Sequence, residues 1–151
     1  EITGGTHTGG IVGYVNYLEA TGTTVNNSKI TSTQGCAGGV AGLVNITATA
    51  NNSTINGGAE VTGNSHTGGI VGYSGSTSEM KNATVNNIKV TSTTLNAGGL
   101  IGVVSASNTF TVPNANVSNS KIYGQIDIGG IAGWAGNVTT SNSSVKNTKI
   151  I

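Results

Sequence analysis

A short glycine motif that returns five times is the feature that most constrains the fold of this chain. Each copy reads Gly-Gly, two apolar residues and Gly, and the first glycines stand at positions 9, 38, 68, 98 and 129. The steps between them are therefore 29, 30, 30 and 31 residues. A period this regular predicts a repeat protein.

Alignment of the five copies also aligns apolar residues far from the motif, in three columns. The first column is Ile2, Ile30, Val61, Val90, Ile122 and Ile150; the second is Val25, Ile55, Val85, Val117 and Val145; the third is Ile11, Val40, Ile70, Leu100 and Ile131. Such columns predict an all-β fold, a β-solenoid of about five turns of about 30 residues, stacked about 4.8 Å apart. Apolar spacing of three and four, which a helical repeat needs, is absent.

The predicted organisation is one repeat segment over residues 1–151. Its repeats are 1–28, 29–59, 60–88, 89–120 and 121–148, with 149–151 starting another, and we expect it to be a piece of a longer solenoid. Residues 6–10 are echoed by 65–69 and residues 29–33 by 89–93, which indicates a second period of two turns, about 60 residues. Alternating Glu1, Lys29, Glu60 and Lys89 predict weak ion pairs between turns.

Two sets of residues predict corners or close backbone contacts. The glycines inside and at the end of each motif are Gly10, Gly13, Gly39, Gly42, Gly69, Gly72, Gly99, Gly102, Gly130 and Gly133. Their recurrence indicates positions where a side chain does not fit. The residues two places after the second column are Asn27, Gly57, Asn87, Asn119 and Asn147. Because Asn and Gly tolerate a left-handed backbone best, this column predicts a corner, with amides stacked between turns; a sugar-binding Asn array is the alternative.

The repeated Gly-apolar-x-Gly, together with segments such as Val85-Asn86-Asn87-Ile88-Lys89-Val90, resembles the GLUG repeat of bacterial and protist surface proteins. The likeness extends over essentially the whole chain. It implies a β-solenoid segment of an adhesin-like or other large extracellular protein, serving as a stalk or scaffold and not as a catalytic module.

Composition narrows the function further. The 151 residues include 25 Gly, only 7% are charged, and Arg is absent. The net charge of +1 has no clustering behind it, so we expect no nucleic-acid partner. Apolar runs stay far below the roughly 20 residues of a membrane span. The abundance of Asn, Ser and Thr is typical of extracellular or cell-surface repeat proteins.

No constellation in the sequence predicts catalysis, so we expect no enzyme and no cofactor. The five acids Glu1, Glu19, Glu60, Glu79 and Asp127 form no pair suited to acid–base chemistry. His7, Cys36 and His66 share one column, a superficially metal-like set, but two turns separate the histidines by about 9.6 Å, too far to share one zinc. We therefore expect no metal and interpret the column as repetition of an ordinary turn.

Several surface features remain as candidates for contacts. Thr3, Thr31, Thr62 and Thr91, with Thr33 and Thr93, are the basis of an ice-binding alternative. Glycosylation sequons occur at Asn26, Asn45, Asn51, Asn52, Asn82, Asn116, Asn137 and Asn142. Residues 105–113 form the longest insertion and predict a surface loop. We expect Tyr17, Tyr123 and Phe110 to be exposed, and Tyr14, Tyr73 and Trp134 to pack in a column.

These observations predict an architectural segment of a secreted or cell-surface protein: an adhesin stalk or the shaft of an extracellular filament. Its partners would be neighbouring solenoid segments or copies of itself. The alternative is a binding module whose solenoid face takes carbohydrate or ice.

Overall fold

The computed structural model describes residues 1–151 and contains only strands, turns and bends. Every strand pairs in parallel with its equivalents about 30 residues earlier and later in the chain. The pairing generates four sheets, which are the four faces of one continuous coil. The prediction of an all-β solenoid of about five turns is confirmed, and we number its coils one to five from the amino terminus.

Each coil passes through the four faces in the same order. Face one consists of Ile2–Gly4, Lys29–Ser32, Glu60–Gly63, Lys89–Ser92, Lys121–Tyr123 and Lys149–Ile150. Face two consists of His7–Gly9, Cys36–Gly38, Thr67–Gly68, Ala97–Gly98 and Ile128–Gly129. Face three consists of Val12–Thr21, Ala41–Asn51, Val71–Ser74 with Ser78–Glu79, Ile101–Pro113 and Ala132–Ser141. Face four consists of Thr24–Asn26, Thr54–Asn56, Thr84–Asn86, Asn116–Ser118 and Ser144–Lys146.

The apolar columns form the core inside the four faces. Ile30, Val61 and Val90 are consecutive partners on face one and are fully buried. Ile55 and Val85 pair in the same way on face four and are equally buried. Burial of each such side chain contributes about 1.5–3 kcal/mol. Every coil added to the stack therefore buries another layer of the same columns.

The predicted Asn column has a left-handed backbone at the corner between faces four and one. Asn27, Asn87, Asn119 and Asn147 have φ between 48° and 54°, and Gly57 has φ 71°. The Asn147 amide donates to Asn119 Oδ1 at 3.3 Å, so a side-chain bond links the last two coils there.

A second left-handed corner lies between faces three and four and was not predicted from the sequence. It is formed by Gly22, Asn52, Asn82, Asn114 and Asn142, with φ between 51° and 67°. These residues stand three places before the second apolar column in every repeat. Their amides form a ladder, because Asn82 donates to Asn52 Oδ1 at 2.9 Å and Asn114 donates to Asn82 Oδ1 at 3.1 Å. Two Asn or Gly corners thus frame each strand of face four.

Replacement of Asn87 by alanine tests the corner assignment. A left-handed backbone costs an alanine about 1–2 kcal/mol, and Asn87 makes no side-chain hydrogen bond whose loss would add to this. We expect N87A to lower the free energy of unfolding by that amount in chemical denaturation. N87G is the matched control, expected within about 0.5 kcal/mol of the native protein. Equal destabilisation by both substitutions would contradict the assignment.

The motif glycines lie where the backbones of adjacent coils meet at the corner between faces two and three. Gly39 N donates to the Gly69 carbonyl oxygen at 3.0 Å. A Cβ on Gly10, Gly39, Gly69 or Gly99 would lie 2.0–2.2 Å from the carbonyl oxygen of the next coil. A Cβ on Gly13, Gly42, Gly72, Gly102 or Gly133 would lie 2.4–2.6 Å from another backbone atom. Gly130, in the last coil, would instead meet the Val145 side chain at 2.8 Å.

The prediction of a surface loop over residues 105–113 is wrong, because this segment belongs to the strand Ile101–Pro113. Its extra residues form a bulge between Val104 and Thr109, where the pairing with coil five shifts. Beyond the bulge the strand returns to register and Phe110 points into the core, fully buried. The expectation that Phe110 is exposed is therefore also wrong. Ala48 and Ser78 are the small residues below it in the same column, and they leave space for the ring.

Candidate functional site

A cleft between faces two and three brings together side chains from three successive coils. Its volume is about 350 Å³. The lining residues are Thr6, His7, Gln34, Gly35, Cys36, Leu43, Ser65, His66 and Tyr73. Coils one and three supply the two histidines and Tyr73, while coil two supplies the smaller Cys36 and Leu43. The two-coil period of the sequence therefore places larger side chains on both sides of the smaller ones and leaves a cleft over coil two.

Parallel pairing on face two positions the histidines and the cysteine. His7 is the register partner of Cys36, and Ala37 N donates to the His66 carbonyl oxygen at 3.0 Å. The three side chains therefore follow one another at successive coil steps. Cys36 is 4% exposed between the two half-buried imidazoles.

Each histidine of the cleft lies against a tyrosine of face three. The His7 and Tyr14 ring centroids are 6.0 Å apart, and those of His66 and Tyr73 are 5.7 Å apart. The motif glycines make this possible, because the chain turns from face two to face three within a few residues. The two His–Tyr pairs are equivalent elements two coils apart.

The chemistry of Cys36 differs from that of a metal ligand. Burial raises the pKa of the Cys36 thiol, and its Sγ lies 3.7 Å from Ser65 Oγ. Since the thiolate is the form that binds metal, this environment disfavours ligation. No group of three His, Cys, Asp or Glu side chains in the protein is placed to hold a metal ion.

His66 is an imidazole whose surroundings favour its neutral form. Burial lowers the pKa of His66, and a side-chain hydrogen bond with Asn96 offsets part of this shift. The Nδ1 atoms of both His7 and His66 are buried and lack hydrogen-bond partners. The His66 ring is therefore favoured in its uncharged form near neutral pH.

The lowered pKa of His66 predicts how stability depends on pH. As the pH falls through about 6.5, the unfolded chain gains a proton at this position before the folded chain does. The free energy of unfolding should therefore decrease from pH 7.5 towards pH 5 and level off below the folded-state pKa. Urea unfolding across this range checks the effect, and H66Q should show a smaller decrease. An identical pH profile for H66Q would contradict it.

The acidic residues, which the sequence predicted to form no catalytic pair, lie in different environments. Glu1 pairs with Lys29 at 3.4 Å, and both side chains are exposed. Glu79 accepts a hydrogen bond from the Asn51 amide, and Asp127 accepts one from Asn96, each at 2.7 Å. Of the ion pairs predicted between turns, the structure contains only the pair of Glu1 and Lys29.

The sequon asparagines differ in exposure. Asn26, Asn45, Asn52, Asn82, Asn137 and Asn142 are exposed, whereas Asn51 and Asn116 are half-buried. Asn51 is also occupied internally, because its Oδ1 accepts a bond from Lys81 N at 2.7 Å.

The threonines considered for ice binding are partly used within the protein. Thr31, Thr62 and Thr91 pair along face one but are half-buried. Thr33 Oγ1 donates to the Gly4 carbonyl oxygen at 3.2 Å, and Thr93 Oγ1 donates to that of Asn64 at 3.4 Å.

The tyrosines and Trp134, unlike Phe110, lie on the outside of the coil. Tyr17 is 67% exposed, and Tyr123 is half-buried with Lys89 Nζ 5.9 Å from its ring centroid. Tyr14, Leu43, Tyr73, Val103 and Trp134 are successive register partners on face three. The expected column exists, but it is not packed throughout: Tyr14 and Trp134, in the first and last full coils, are 52% and 38% exposed.

Comparison with known proteins agrees with the repeat seen in the sequence. The family model described as "The GLUG motif" matches residues 63–91, which run from face one of coil three to face one of coil four. No curated protein and no solved structure matches the chain. The structure has no helix that could cross a membrane. The resemblance is thus confirmed: the chain is a β-solenoid repeat protein that carries the GLUG motif at residues 63–91.

Proposed function

We propose that this solenoid is a non-catalytic structural segment of a secreted or cell-surface protein, serving as an adhesin stalk or as the shaft of an extracellular filament. The regular parallel pairing supports this role. Faces one, two and four keep their register from coil to coil, and face three regains it after each bulge, so each added coil extends the rod by about 4.8 Å.

The carrying observation is the repeated packing of the apolar columns between coils. Ile70 and Val85 are fully buried, and Val85 pairs with Ile55 of the preceding coil and Val117 of the following coil. The contacts that hold one coil on the next are therefore of the same kind at each step, which is the construction of a rod. The partners that we propose for this rod are neighbouring solenoid segments or copies of the same segment.

The surface chemistry is consistent with this role. Glu1, Glu79 and Asp127 are engaged in separate contacts, the charge density is low, and the chain is rich in Asn, Ser and Thr. Such a surface offers no convergent pair of carboxylates for hydrolysis. Six exposed sequon asparagines are positions where a glycosylating host would modify it.

Electron microscopy of the native full-length protein tests the architectural role. Long fibres with an axial repeat near 4.8 Å support the shaft of a filament. Discrete rods that carry another domain at one tip support a stalk. Compact particles with the segment folded against other domains would contradict both. Antibodies raised against the segment should label intact cells, and labelling only after permeabilisation would contradict the surface location.

A further inference from the structure

Aromatic side chains beside the cleft between faces two and three recur along the solenoid in steps of two coils. The column Tyr14, Leu43, Tyr73, Val103 and Trp134 alternates a large aromatic ring with a smaller aliphatic side chain. Leu43 and Tyr73 line the cleft, and Tyr14 is the register partner of Leu43 on its other side. Neither the metal hypothesis nor the structural role of the chain accounts for this arrangement.

The dimensions of one repeat suit a single six-membered ring. Two coil steps place equivalent atoms of Tyr14 and Tyr73 about 9.6 Å apart. Favourable contacts between rings have centroids about 4.5–7 Å apart, so two such contacts in series need about 9–14 Å. One ring over Leu43 therefore touches both tyrosines at the short end of this range.

The polar groups of the cleft indicate the charge and the hydrogen-bonding groups of the ring that it accepts. Thr6, Gln34 and Ser65 provide hydroxyl and amide groups, and the imidazoles of His7 and His66 line the same cleft. No Asp, Glu, Lys or Arg lines the cleft, so nothing there compensates a charged ligand. A ligand with an apolar ring face and several neutral hydroxyls satisfies both kinds of wall.

We propose that this cleft binds a neutral pyranose glycan, with one sugar ring over Leu43 between the two His–Tyr pairs. The sugar face packs on the tyrosine rings, and its hydroxyls bond to the side chains of Thr6, Gln34, Ser65 and the histidines. Because Trp134 lies two coils beyond Tyr73, a glycan that runs along the solenoid axis meets a further aromatic residue. The proposal does not depend on whether the segment is a stalk or a filament shaft.

The test uses cellohexaose, xylohexaose and mannohexaose as neutral probes and an oligogalacturonate as an acidic probe. Addition of at least one neutral probe at millimolar concentration should shift the backbone amide resonances of Cys36, Leu43 and Tyr73. Resonances of face four, such as that of Val85, should not move. Titration should saturate, and the acidic probe should bind more weakly than the neutral one.

Y73A and Y17A are the matched variants. Tyr17 is more exposed than Tyr73 and lies outside the cleft, so its removal controls for general loss of aromatic surface. We expect Y73A to weaken binding at least tenfold and Y17A to leave the dissociation constant unchanged. The proposal is overturned if no neutral probe shifts the cleft resonances, if the acidic probe binds best, or if folded Y73A binds like the native protein. If Y73A fails to fold, the resonance shifts in the native protein alone test whether the cleft binds a neutral glycan.

Discussion

Replacement of Gly69 by alanine is expected to destabilise the protein by about 3 kcal/mol or more, because the added methyl group has no space. Its Cβ would lie 2.1 Å from the carbonyl oxygen of Gly99 and 3.1 Å from Val85 Cγ2. The first obstacle is backbone of the next coil, which cannot move without breaking its own pairing. Chemical denaturation followed by circular dichroism measures the loss, and we expect a lower midpoint with β-structure retained in buffer.

Gly5→Ala is the control for Gly69→Ala. Gly5 lies on the surface between faces one and two, and a Cβ there would have no atom within 4 Å. Its φ is outside the left-handed region, so alanine should be neutral within about 0.5 kcal/mol. Equal effects of the two substitutions would show that the coils do not approach as closely as described.

Replacement of Phe110 by alanine is expected to cost about 3–5 kcal/mol, the range for removal of a fully buried aromatic ring. The ring fills the core above Ala48 and Ser78, and small residues on the same column cannot close the cavity it would leave. Denaturant unfolding measures the loss.

Y17A is the control for F110A, because Tyr17 belongs to the same face but is 67% exposed. Its truncation should change the free energy of unfolding by less than about 0.5 kcal/mol. A similarly small effect of F110A would place Phe110 on the surface, where the sequence alone had suggested it, and would contradict the register of the Ile101–Pro113 strand.

The fold was predictable because the same residue types recur at equivalent positions of every repeat. Val61 and Val90, or Gly69 and Gly99, occupy equivalent positions in successive repeats, so alignment of the chain with itself reveals the columns. The second Asn corner was predictable by the same alignment, since Asn52 and Asn82 stand three residues before Ile55 and Val85. Phe110 was not, because it has no aromatic counterpart in the other coils and follows an insertion of variable length. Its burial depends on the bulge that restores register after Val104.

The cleft was predictable only in part. Alignment places His7, Cys36 and His66 in one column, and this pattern alone was interpreted as repetition of an ordinary turn. That Tyr73 lies against His66 depends on the angle of the chain at the Gly68-Gly69 corner, which no periodicity specifies. The lowered pKa of His66 likewise follows from burial, which the sequence does not show at single residues.

The central claim, a parallel stack of coils, is tested most directly by nuclear Overhauser effects in isotopically labelled protein. The structure predicts contacts between backbone protons of register partners such as Thr31 with Thr62, Val85 with Val117, and Thr67 with Ala97. All such contacts should join residues about 30 positions apart, in all four faces. Strong contacts between the α protons of strands adjacent in sequence, the mark of antiparallel hairpins, would contradict the account.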